Sequence, residues 1–132
     1  MRNFAYSASH WENAPKLSED LAVSEHISRL TSPDDKILVF GNPAFYFLSK
    51  REPASKYLFY SWRFIESPIR DEYLNNLKRS LQDNSTKLVA VADEYRTDIS
   101  PELLNVIQQE YHEVEVVPYS YNGQVRLYER SP

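Results

Sequence analysis

At 132 residues, with no cysteine and a formal net charge of −4, the chain is long enough for one packed domain and too short for two. The missing thiols exclude a disulfide framework, a cysteine nucleophile and thiolate metal sites, and the acidic balance argues against nucleic acid as a partner. Ten tyrosines raise the aromatic content to 14%, a surplus that suits half-buried surfaces and sugar-like ligands equally. No stretch approaches the roughly 20 apolar residues that span a bilayer, and the first residues lack the apolar core of a signal peptide, so the chain as written reads as soluble.

Residues 1–16 show no sustained period and form a lead-in segment, whose Phe4, Tyr6 and Trp11 are expected to dock on the domain. From Ser18 a helix is predicted, with Glu19 and Asp20 at its positive end, Arg29 at the other, and Leu21, Ala22, Ile27 and Leu30 as its buried stripe. Ser32-Pro33-Asp34-Asp35 then turns the chain into Lys36-Ile37-Leu38-Val39-Phe40, a run without polar alternation that must be covered on both faces. This is the expected first central strand. Gly41 is read as permitting a sharp turn, with Asn42 capping a short helix whose first position is Pro43 and whose body runs from Ala44 to Ser49. The same punctuation recurs at Ser67-Pro68 and Ser100-Pro101.

After the polar Lys50-Arg51-Glu52-Pro53, the aromatic stretch from Ala54 to Arg63 is predicted as the second strand. Ile69, Tyr73, Leu77 and Leu81 recur every four residues and mark a well-patterned amphipathic helix. Leu88 to Ala92 is a second fully apolar strand, and Pro101 to Tyr111 a helix that buries Leu103, Leu104, Ile107 and Tyr111. Val114 to Tyr119 and Val125 to Tyr128 form the last two strands, joined around Tyr121-Asn122-Gly123, where Asn-Gly signals a hairpin. Together these predict one α/β domain over 17–132: a three-layer Rossmann-like sandwich with a mostly parallel sheet of order 2-1-3-4-5 and an antiparallel C-terminal hairpin.

With two glycines in all, neither a dinucleotide fingerprint nor a phosphate-cradling P-loop is possible, and no glycine-flanked serine forms a nucleophile elbow. His10, His26 and His112 are too dispersed for metal ligation, so no metal or cofactor is expected. In the predicted topology a crevice opens at the carboxyl ends of the first and third strands, gathering Asn42, Tyr46, Asp93 and Glu94, with Arg63 alongside. A second ligand-like feature is a basic and aromatic cluster in which Arg51, Lys56 and Arg63 accompany Tyr46 and Tyr60. Such a surface would suit an anionic head group, a phosphosugar or an acidic partner.

Several stretches resemble the C-terminal extracytoplasmic domain of bacterial membrane glycosyltransferases related to the dolichyl-phosphate-mannose protein mannosyltransferases. They are Ser32 to Gly41, Tyr46-Phe47-Leu48-Ser49, Arg51 to Tyr57, the strand Leu88 to Ala92, and Val125 to Arg130. The likeness spans roughly residues 17–130. It implies a noncatalytic accessory domain on the extracytoplasmic face of the cell membrane, partnered by the membrane-embedded part of the same polypeptide and assisting a lipid-linked phosphosugar donor or the acceptor. The family's catalytic loop has no counterpart here, so the resemblance supplies no catalytic residue, and it suggests that the chain is an excised or free-standing relative. Two alternatives stand beside it: a small enzyme using Asp93 and Glu94, and a protein-interaction module.

Overall fold

The computed structural model describes residues 17–56, 69–120 and 123–132. The lead-in segment, most of the predicted second strand including Tyr60 and Arg63, Ser67-Pro68, and the hairpin residues Tyr121 and Asn122 lie outside them. Helix α1 (Leu17–Leu30) leads into β1 (Lys36–Phe40), followed by α2 (Ala44–Ser49) and a two-residue strand β2 (Glu52–Pro53). Next come α3 (Ile69–Gln82), β3 (Leu88–Ala92), a 3-10 helix (Asp93–Asp98), α4 (Pro101–Glu110), and the hairpin of β4 (Tyr111–Tyr119) and β5 (Gly123–Arg130).

Among the described residues the strands form one five-stranded sheet of order β2-β1-β3-β5-β4. The α/β class is as predicted, and the strand order differs. β5 rather than β4 lies beside β3, antiparallel to it, with Val89 opposite Tyr128 and Ala92 opposite Val125. The two pairings made by β1 are parallel and the two made by β5 antiparallel, so the sheet is mixed rather than mostly parallel. The physical reason is visible in side-chain burial. β5 buries Val125, Leu127 and Tyr128 on both of its faces, whereas β4 carries exposed His112, Glu113 and Val114 and places Pro118 in a strand. A proline and outward charges belong at an edge.

Alternation along the strands separates two cores. Ile37, Val39, Leu88, Ala90, Val125 and Leu127 pack against Val23 and Ile27 of α1 and Phe45 and Tyr46 of α2. On the other face Leu38, Phe40, Val89, Val91 and Tyr128 pack against Tyr73, Leu77 and Leu81 of α3 and Leu103, Val106 and Ile107 of α4.

Local chemistry explains the element ends. Ser100 accepts a hydrogen bond from the Leu103 amide at 3.3 Å with Pro101 in the first turn of α4, as its sequence predicts. Lys50 closes α2 in the left-handed conformation, φ 59°. Asn42 acts one residue earlier than expected: its side chain accepts from the Ala44 amide at 2.9 Å, and Pro43 takes the capping position.

Three further expectations are corrected. The buried stripe of α1 is Asp20, Val23, Ser24 and Ile27, while Leu21 and Ala22 face outward, because β1 and α2 approach from the opposite side of the helix. Ile69 opens α3 but is exposed, beyond the reach of the sheet. Tyr111 is not the last residue of a helix but the first of β4, where it remains buried on the α3 and α4 face. Among the described residues β2 is Glu52–Pro53, in the polar linker, and it pairs with Lys36 and Ile37.

Candidate functional site

The two ends of the sheet differ in chemistry. At the carboxyl ends of β1 and β3, Gly41 and Ala92 approach closely. Gly41 serves this by lacking a side chain, since a Cβ there would lie 3.1 Å from the Ala92 Cβ, and its φ is not in the left-handed region.

The polar groups at this end bind one another. Asn42 donates to Asp20 at 3.4 Å and to the Tyr119 hydroxyl at 3.3 Å. Tyr119, itself buried, donates a short hydrogen bond to Asp20. Burial pushes the Tyr119 phenol up, opposed by the Asn42 hydrogen bond and reinforced by the Asp20 carboxylate. Glu19 fastens the same corner by accepting from the Ser120 hydroxyl at 2.7 Å and the Ser120 amide at 3.2 Å. Tyr46 turns inward. Its hydroxyl accepts the Val39 amide hydrogen at 2.8 Å, satisfying a donor of β1 that the two-residue β2 stops short of. Burial raises its pKa to about 12.

Asp93 leaves β3 and receives a two-pronged interaction from Arg126, at 2.8 Å from Nε and 3.4 Å from the second terminal nitrogen. The remaining terminal nitrogen reaches Glu113 at 3.2 Å, and these carboxylates, Asp93 first, hold the guanidinium above its ordinary pKa. Arg96 donates to Tyr128 at 3.2 Å across the same depression of about 340 Å3. Glu94 is exposed and is not a free carboxylate. The structure therefore brings Asn42 to Asp20 and Tyr119, and Asp93 to Arg126, and among the described residues no hydrogen bond or ion pair joins Asn42 to Asp93.

The basic cluster is also differently employed. Arg51 donates from Nε to the Thr31 hydroxyl at 2.9 Å and from its terminal nitrogens to the carbonyls of Ser28, Thr31, Ser49 and Lys50, at 3.1 to 3.3 Å. It ties the carboxyl-terminal ends of α1 and α2, where carbonyls lack helical partners and the dipole favours a cation. Lys56 lies on the surface, 3.3 Å from Glu72.

At the amino ends of β1 and β3 lies an open groove of about 830 Å3. Sequence reasoning missed it because its residues come from four separate strand ends. Register aligns them: Lys36 and Lys87 are neighbours on β1 and just before β3, joined by a 2.9 Å backbone hydrogen bond, and Arg130 of β5 flanks Lys87. Alternation puts all three on the face of Leu38, Val89 and Tyr128.

Arg130 anchors this row. One terminal nitrogen reaches the Leu81 carbonyl and the Tyr111 hydroxyl, the other reaches Glu110 at 3.4 Å, and the guanidinium lies 4.9 Å from the Tyr111 ring centre. Its Nε is buried and has no hydrogen-bond partner. Burial raises the Tyr111 pKa to about 12, with Arg130 opposing the shift.

Fold and site together define an α/β domain with a mixed sheet, a paired polar network at one end and a groove lined by both cations and carboxylates at the other. No family model matches the chain, and comparison with curated proteins and with solved structures finds no significant match. Among the described residues no cluster of side chains fits a metal ion, and no helix is long and apolar enough to cross a membrane.

Proposed function

We propose that the chain is a noncatalytic accessory domain of a glycosyltransferase-like membrane protein, placed on the extracytoplasmic face and partnered by the membrane-embedded part of the same polypeptide. The observation that carries the noncatalytic half is the mutual pairing of Asp20, Asn42 and Tyr119 and of Asp93 and Arg126. General acid or base work needs a group within hydrogen-bond reach of substrate and a crevice to hold that substrate. Here the groups best placed for it are joined to each other, and Gly41 lies against Ala92 where the crevice would open.

The membrane and glycosyltransferase half rests on the resemblance of Ser32 to Gly41 and of Val125 to Arg130 to the domains named above. In this reading the domain helps to hold a lipid-linked phosphosugar donor or the acceptor, and the membrane part performs the transfer. The test is an assay of the purified chain with a lipid-phosphate sugar. No transfer or hydrolysis is expected. Turnover abolished by Asp93→Asn would contradict the proposal.

A further inference from the structure

Two lysines side by side on neighbouring strands, about 5 Å apart at the backbone, repel one another unless something negative lies between them. Lys36 and Lys87 are such a pair, and among the described residues neither ammonium group has an ion-pair or hydrogen-bond partner. Among the described residues, Lys56, Lys78, Arg126 and Arg130 each have a carboxylate within 4 Å, whereas Lys36 and Lys87, like the exposed Lys50, have none. The unpaired lysines line the groove of about 830 Å3, and Arg130, its terminal nitrogens engaged by Glu110, Leu81 and Tyr111, stands in the same row.

We propose that this groove binds a phosphate or diphosphate group, with Lys36 and Lys87 as its cationic clamp and Arg130 as the fixed flank. The groove also contains Asp34, Asp35 and Glu129, which would repel an extended polyanion. A small anion carrying about two charges needs no more than the two lysines to balance it, whereas an extended nucleic-acid backbone would run on to those carboxylates. Arg130 is held by Leu81, Glu110 and Tyr111, so the flank is preorganised, and only the two lysine side chains need ordering on binding. The inference stands on the charges of this groove, and the noncatalytic reading on the pairing of Asp20, Asn42 and Tyr119 and of Asp93 and Arg126, so either can fail without the other.

The test is calorimetric titration of the full chain with inorganic pyrophosphate at low ionic strength, alongside co-sedimentation with phosphatidylcholine vesicles containing or lacking phosphatidic acid. Saturable binding is expected that weakens at least tenfold in Lys36→Gln/Lys87→Gln, persists in Lys36→Arg/Lys87→Arg, and falls with added salt. Thermal melting of each variant confirms that it is folded. Lysine-dependent binding of pyrophosphate identifies a soluble phosphate compound as a sufficient ligand, and lysine-dependent binding to phosphatidic acid vesicles alone identifies a lipid-borne phosphate. Absence of both, or equal binding by the glutamine variant, overturns the proposal.

Discussion

Among the described residues, the carboxyl and amino ends of this sheet both carry charged and polar groups, yet they treat them oppositely. At the carboxyl end, Asp20, Asn42 and Tyr119 satisfy one another in a partly buried network, and Arg126 draws Asp93 and Glu113 together. At the amino end, Lys36 and Lys87 are left as adjacent, unpaired cations above an anchored arginine. A buried polar network that is internally complete fixes structure; charges left without partners on a concave surface are available to a ligand. The rule that places ligands at the carboxyl ends of strands in open α/β sheets is here reversed by packing, because a mixed sheet brings β5 and its Arg130 to the amino ends of β1 and β3.

The carboxyl end should break hardest. Val39→Asp, beside the amide held by Tyr46, would bury a carboxylate without a partner, at a cost of several kcal/mol that approaches the whole stability of a small domain. Urea unfolding should find this variant largely unfolded in buffer. Tyr119→Phe removes the hydroxyl that serves Asp20 and Asn42, and a loss of about 1–3 kcal/mol is expected by the same measurement. Pairing it with Asp20→Asn in a double-mutant cycle should give strong coupling, whereas additive losses would mean that the network is not a unit.

Arg51→Ala should cost about 2 kcal/mol, since it strips carbonyl partners from the ends of two helices. Read from sequence, Arg51 belongs to a ligand-like basic and aromatic surface; its hydrogen bonds give it a structural task instead. Unchanged melting of Arg51→Ala would restore the surface reading.

Alkaline pH affects both ends. Tyr46 and Tyr111 have pKa values raised from 10.0 to about 12 by burial, so folding favours their protonated forms. Their contribution is fully present below pH 10 and is lost as pH rises from about 10 to 12, because the unfolded chain ionises first. Stability should fall across that window, and Tyr46→Phe and Tyr111→Phe should each flatten the slope. A pH-independent melting temperature between 10 and 12 would contradict the burial of these phenols.

The smallest effect is expected at the open end. Lys36→Gln/Lys87→Gln should change stability by less than about 0.5 kcal/mol, and in the stabilising direction, because it relieves repulsion between exposed charges. Marked destabilisation would show that the lysines have a structural task.

Most of the fold was legible because its signals are local. The unbroken apolar runs of β1 and β3, the serine and proline at the start of α4, and the four-residue spacing of Tyr73, Leu77 and Leu81 each follow from neighbouring residues. The order of β4 and β5 depends on which hairpin strand meets β3, a long-range choice. Its sequence trace was a strand that contains Pro118 together with Glu113 and Glu115, the marks of an edge. The candidate groove was less legible. Lys36, Lys87 and Arg130 become neighbours only once sheet register is known, while Asn42 and Asp93 attract attention from their strand-end positions alone. The partners that occupy Asn42, Asp20 and Tyr119, come from the far ends of the chain.

The contrast between the ends is tested most directly by mapping amide chemical shifts of the labelled chain during titration with inorganic pyrophosphate. Saturable shifts at Lys36, Thr86, Lys87 and Arg130, with Asn42, Asp93 and Tyr119 unmoved, are the predicted result. Shifts centred on Asn42 and Asp93, with the lysine row unmoved, would contradict it.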